Sequence, residues 1–186
     1  MKNYLFCGYL LAIGLLVAFK NPTAKRKIVA DKSKSTITYA AVHPLHKWEG
    51  VSREVNCAMI YNDDTKLPEN LAVSVKVASF DSQNNNRDSH AVEVLEGIKY
   101  PNVTFVSSDI KAGDNGNLVA KGNLTFHGVT KPVTLQATRK EESGKMTLTG
   151  EFPVSMATYN IERPSLMGVK TEDQMTLKFN VVFPVN

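Results

Sequence analysis

Period-two alternation dominates this chain and narrows what it can fold into. Met175, Leu177, Phe179, Val181, Phe183 and Val185 alternate with Thr176, Lys178, Asn180, Val182 and Pro184, so an extended backbone gathers the first set on one continuous apolar face. The rhythm recurs at Leu71, Val73, Val75 and Val77, at Leu118, Ala120, Gly122, Leu124 and Phe126, and at Met146, Leu148, Gly150, Phe152 and Val154. Shorter runs cover residues 36–42, 51–61, 103–108 and 133–138. Together they predict roughly eight strands. One-sided alternation belongs to antiparallel sheet, because parallel sheet covered on both faces reads as unbroken Val, Ile and Leu.

The connections agree with an all-β, antiparallel fold. Residues 113–116 (GDNG) and 141–144 (EESG) are tight-turn material, and residues 63–70 form a longer polar loop. Helix is scarce. A short one is expected over residues 91–96, with Asp88 as N-cap, Gly97 beyond the last turn, and Ala91, Val92 and Leu95 on its apolar side. A second short irregular segment is expected over residues 158–167, where Pro164 interrupts any central strand. Such a sheet buries its apolar face either as a sandwich or as a closed barrel. A barrel of this strand number is just wide enough to be filled by side chains or to hold one small ligand. Gly122, Gly150 and Ala120 beside large Phe, Leu and Met permit a cavity without requiring one.

The start of the chain concerns destination. Lys2 precedes a mostly apolar run over residues 4–19, followed by Lys20 and a basic stretch, which predicts a signal peptide or N-terminal anchor over residues 1–24. The run is short of the roughly 20 apolar residues of a spanning helix. Export to the periplasm or the extracellular space is the expectation. The remaining part, about 160 residues, suffices for one domain with its own core. Formal charge is +4, but Lys2, Lys20, Lys25, Arg26 and Lys27 all lie in or near the leader, and no basic stripe interleaved with aromatics asks for nucleic acid. Cys57 is the only cysteine outside the apolar run that holds Cys7, so the domain has no internal disulfide and Cys57 is expected to be buried.

Residues 78–105 break the strand pattern with a dense polar turn, a helix and a return to strand through Tyr100 and Pro101. Arg87 beside Asp88 reads either as a clasp pinning the helix or as a contact for the polar head of a ligand. His127, before Gly128, reads chiefly as a turn or capping residue.

Three segments in order, SFDSQNNNRDSHAVEVLEGIKYPNVTF, GNLTFHGVTKPVTL and GEFPVSMATYNIERPSLMG, resemble the YceI family of exported, lipocalin-like proteins. The resemblance covers residues 28–186, taken as one domain. It implies an eight-stranded antiparallel barrel with one or two short helices, holding a long apolar molecule such as a polyisoprenoid, an isoprenoid quinone or a fatty-acid derivative. It further implies a non-catalytic carrier without cofactor. On that reading Phe105, Leu124, Phe126, Phe152, Phe179 and Val181 line the interior, Met167 adds to the lining, and Arg87 and His90 stand near the head. Two departures bear on the ligand: His43-Pro44-Leu45-His46-Lys47-Trp48 replaces the usual Gly-x-Phe opening, and the helix carries Glu93 and Glu96.

The rival classes have less support. His43, His46, His90 and His127 are the only histidines, and imidazoles are common metal ligands, but no His-Glu-x-x-His helix or second close pair accompanies them. No metal site is expected. A Gly-x-Ser-x-Gly elbow and a glycine-rich nucleotide loop are both missing from the sequence, so the chain is not read as an enzyme. A structural or metal-binding envelope module without lipid is the alternative. A homodimer would follow from an exposed sheet edge or an apolar barrel mouth.

Overall fold

In the computed structural model, which describes residues 24–186, every long alternating run becomes a strand. The expected leader lies outside the described residues except for Ala24. In chain order the elements are β1 (Lys25–Val29), β2 (Thr36–His43), β3 (His46–Ser52), β4 (Asn56–Asn62), β5 (Leu67–Lys76), β6 (Phe80–Asp81), α1 (Asn85–Val94), β7 (Asn102–Ala112) and β8 (Leu118–Phe126). Then follow β9 (Val129–Glu142), β10 (Lys145–Ser155), β11 (Ser165–Leu166), β12 (Val169–Lys170) and β13 (Gln174–Pro184). Eleven of the strands form one antiparallel sheet in the order β1-β4-β5-β7-β8-β9-β10-β13-β2-β3-β6, and β11 pairs only with β12.

The expected count was about eight, and the difference has a geometric origin. Strand β3 continues into β4 after Arg53, Glu54 and Val55, while β5 continues into β6 after Val77, Ala78 and Ser79. The two bent ribbons pair along their length, Val51 with Asp81 in one half and Cys57 with Val73 in the other. Counted as single bent strands, they join β2, β7, β8, β9, β10 and β13 in a ring of eight, because β5 also pairs with β7 and β3 with β2. The sheet therefore closes into a barrel.

Buried polar contacts hold the bends. Ser52, fully enclosed, sits 2.7 Å from the Ser79 hydroxyl and accepts the Glu54 N–H, and Ser79 bonds the Lys76 carbonyl. Strand β1 adds to the free side of β4 where the ribbon bends away from β2. From there the Asp31 N–H donates to the Val182 carbonyl at 2.7 Å, and the Arg26 guanidinium donates to the Val185 and Asn186 carbonyls. Beneath this seam Val55, Met59, Met146 and Phe183 are almost wholly buried and pack that end of the barrel solid.

The opposite end gathers the irregular connections. Helix α1 begins earlier than expected: Asn84, not Asp88, caps it, its side-chain oxygen accepting the Arg87 N–H at 3.1 Å. The β8–β9 turn is His127-Gly128, both at positive φ, as a two-residue hairpin of the mirror-image type needs. The expected irregular segment resolves into a 3-10 turn, Ala157–Tyr159, and the β11–β12 hairpin. His127 Nδ1 lies 3.1 Å from the Tyr159 carbonyl, and its Nε2 lies 2.9 Å from the Glu96 carboxylate. One imidazole thus ties three connections together.

Candidate functional site: a cavity in the barrel

Inward side chains from most strands enclose a cavity of about 140 Å³. Its floor is Leu118, Leu148 and Phe183, and its mouth is edged by Asp88, Ala91 and Leu95 of the helical segment. Strand β8 alone contributes Leu118, Ala120, Leu124 and Phe126, a stretch of about 26 Å at the usual rise per residue. The hollow is consequently long and slim. Phe105, Leu124, Phe126, Phe152, Phe179 and Val181, named from the strand pattern, all lie on its wall.

Small residues keep the hollow open. Tyr39 lies across Gly50 on the paired strand β3, Phe179 across Gly150 on β10, and Phe105 across Gly122 on β8. A Cβ at any of these glycines would collide with the ring. Each aromatic side chain lies against the wall because the glycine leaves a shelf for it, the same device that compensates strand glycines elsewhere. The taper of small beside large residues thus produces both a packed floor and an open upper barrel.

The mouth is polar on one side. Asp88 accepts the Ser82 N–H through both carboxylate oxygens, at 3.1 and 3.2 Å, and not the neighbouring Arg87 side chain. The Arg87 guanidinium instead lies 5.6 Å from the centre of the Trp48 ring, where a planar cation stacks favourably. The clasp reading of an Arg87–Asp88 pair is therefore replaced by two separate contacts. Burial pushes the Tyr39 phenol above its ordinary pKa, so the hydroxyl keeps its proton and remains a donor beside this group. Lys178 turns its ammonium outward to Glu49 at 2.5 Å, which leaves Asp88 as the carboxylate at the cavity.

Three of the named residues stand off the wall: Arg87, held against Trp48, and two more. His90 is exposed and faces Glu93 at 3.6 Å, because Asp88, Ala91 and Leu95 share the helix face turned to the cavity and position 90 falls on the other side. Met167 is 89 % exposed at the tip of the β11–β12 hairpin, with φ of 52° beside Gly168 at 78°, so it turns a corner and lines nothing. Sequence reasoning in turn did not assign Tyr39, Trp48, Ala91 or Leu95 to the site, and weighed Asp88 only as a cap and as Arg87's neighbour in a clasp or head contact. The first two sit at alternating positions of β2 and β3 and the last three at helical spacing, signals that were present.

The histidines do not assemble. The His43 and His46 rings are 5.3 Å apart and His46 stacks on Trp48 at 5.1 Å, while His43 bridges the Leu45 N–H and the Val169 carbonyl. Among the described residues no group of three or more His, Cys, Asp or Glu side chains is placed to hold a metal ion. Cys57 is buried, and burial pushes its thiol up to about 12.

A closed antiparallel barrel, solid at one end and hollow with an apolar wall above it, defines a lipocalin-like binding barrel. The chain belongs to the YceI family: it matches the YceI-like domain over residues 29–183. Protein YceI of Salmonella newport (strain SL254) is 30% identical over 139 residues, 73% of this chain and 71% of that protein. Among solved structures, Burkholderia cenocepacia BcnA superposes with a TM-score of 0.74 at 21% identity, covering 82% of this chain and 98% of its own. A polyisoprenoid binding domain from Saccharophagus degradans, implicated in plant cell wall breakdown, gives 0.69 at 11% identity over 89% of this chain and all of that domain. The Campylobacter jejuni YceI protein gives 0.57 at 19% identity, covering 98% and 97%. At such identities the structural likeness establishes the fold.

Proposed function

We propose that this chain is an exported, non-catalytic carrier that holds one long apolar molecule, a polyisoprenoid, an isoprenoid quinone or a fatty-acid derivative, along the axis of its barrel. The observation that carries this reading is the cavity wall: side chains such as Leu71, Phe105, Leu124, Phe152 and Val181 present hydrocarbon along its length. Each methylene moved from water into such a channel contributes about 0.8 kcal/mol, so a long chain binds firmly with few polar contacts. Asp88, Tyr39 and the Trp48–Arg87 pair at the mouth supply what the head would meet. The description of the Saccharophagus domain as polyisoprenoid-binding favours an isoprenoid among the three. The apolar, lysine-flanked start of the sequence supports export to the periplasm or beyond the cell.

Native mass spectrometry of protein taken from its own compartment, paired with solvent extraction, tests the reading. One long-chain lipid per barrel is the expected result. Protein that leaves its compartment empty, and takes up neither isoprenoid nor acyl chains from added lipid, would overturn it.

A further inference from the structure

The mouth end of the barrel differs from the floor end in what it shows to solvent. Large apolar residues that are exposed comprise Val29, Leu45, Ile98, Val106, Leu166, Met167 and Val169 among the described residues. Val29 and Val106 lie on strand faces, and the other five all lie in or beside connections at the mouth. Leu45 tips the β2–β3 turn at 68 % exposure, Ile98 follows α1 at 98 %, and Met167 tips the β11–β12 hairpin at 89 %. These connections are fastened to one another and to the barrel. His43 Nε2 contacts the Val169 carbonyl, the Glu172 N–H donates to the Val42 carbonyl, and the Glu96–His127–Tyr159 contacts join the helical segment to the β10 side. At the floor end, the turns carry Asp31, Lys32, Ser33, Lys34, Asp63, Asp64, Asp114, Asn115 and Ser143 and no large apolar side chain.

We infer that the mouth end docks on the surface of a phospholipid bilayer, with Leu45, Ile98 and Met167 entering the boundary between headgroups and acyl chains. Three arguments select a bilayer over a protein partner. Five apolar side chains spread over three connections offer isolated anchors rather than the packed apolar centre of a specific protein interface. A fluid interface, by contrast, accepts single apolar side chains one by one. Exposed Lys47 and Lys170 stand two positions from Leu45 and one from Val169 and make no ion pair among the described residues, while Lys99 beside Ile98 pairs with Glu96 at 3.5 Å, so two ammonium groups are free for headgroups. The apolar tips also stand at the end of the barrel where Asp88, Ala91 and Leu95 edge the cavity, so a chain leaving the bilayer there has a short path to the barrel. This last argument rests on the carrier reading; the first two do not.

Depth-sensitive quenching separates the two ends. Full-length Ile98→Trp, Met167→Trp and, at the floor end, Asn115→Trp proteins are mixed with phosphatidylcholine–phosphatidylglycerol vesicles brominated along their acyl chains. The mouth-end tryptophans are expected to be quenched roughly threefold or more beyond the floor-end one, after subtraction of the Trp48 signal, and Ile98→Glu with Met167→Glu to weaken vesicle binding roughly tenfold. Ala24 joins β1 at the floor end, so attachment through the N-terminal segment alone would quench Asn115→Trp instead and overturn the inference. Equal or no quenching would overturn it too, as would a solution dimer that the glutamate variants dissolve. Mouth-end quenching in protein that never carries lipid would keep the docking surface and sink the carrier.

Discussion

Phe179 of β13 lies flat across Gly150 of β10, its register partner, and a Cβ on that glycine would stand 2.5 Å from the ring. The Gln136 carbonyl crowds the same spot from the other side, so the wall cannot yield and the ring must. Gly150→Ala is expected to cost about 1–3 kcal/mol as overpacking and to swing Phe179 into the hollow. Urea unfolding reads the first effect and the lipid stoichiometry of purified protein the second; unchanged stability with full lipid loading would refute this account of the wall.

Cys57 gives a pH signature. Burial pushes its thiol up to about 12 in the folded chain from the ordinary 9.0. A raised value means the folded state holds the proton more tightly, so this contribution is intact below pH 9 and is lost as pH climbs toward 12, at about 1.4 kcal/mol per pH unit. In a Cys7→Ser background the thiol should react with a disulfide reagent at pH 8 only after unfolding. Adding Cys57→Ala should flatten the alkaline fall in stability, and an equally steep fall without the thiol would count against this assignment.

His127 is expected to behave as a structural tie. His127→Ala removes the contact to the Tyr159 carbonyl and the close approach to Glu96, whose carboxylate keeps Lys99, and puts alanine at φ of 48°, a loss of about 1–3 kcal/mol. His127→Asn tolerates the backbone angle and should recover part of it. Matched denaturation curves decide. If the asparagine variant falls as far as alanine, the turn geometry contributes nothing.

Arg87 reports through the sole tryptophan. Removing the guanidinium from the Trp48 face in Arg87→Ala should shift the emission of the native protein, and Arg87→Lys should not restore it, because the flat stacked cation is lost in both. Stability should change by no more than about 1 kcal/mol. Emission identical in all three proteins would show that the two groups part in solution.

Strand identity was legible because alternation at Leu118 to Phe126 or Met175 to Phe183 has one physical meaning, a sheet with one buried face. The lining phenylalanines followed from the same pattern. The bends at residues 53–55 and 77–79 were not legible, since a strand that turns a corner keeps its alternation on either side. The helix start was missed for a different reason. Asn84, Asn85, Asn86 and Asp88 are all good caps, and the apolar signal begins only at Ala91, so the sequence contains several equivalent beginnings. Met167 misled because a large apolar residue is usually core, whereas here the Met167-Gly168 pair forms the tip of a two-residue turn.

The ring of strands closes where β2 meets β13, Ile37 beside Phe179 and Thr36 beside Asn180. Contacts so distant along the chain form late, because the loop between them must be closed first. The barrel therefore comes into being as a vessel only with its last strand. A nascent or truncated chain lacking that strand has walls but no interior, and its β2 and β10 edges stand open to pairing with other chains. Addition of β13, rather than any earlier pairing, is what converts a sticky ribbon into a container.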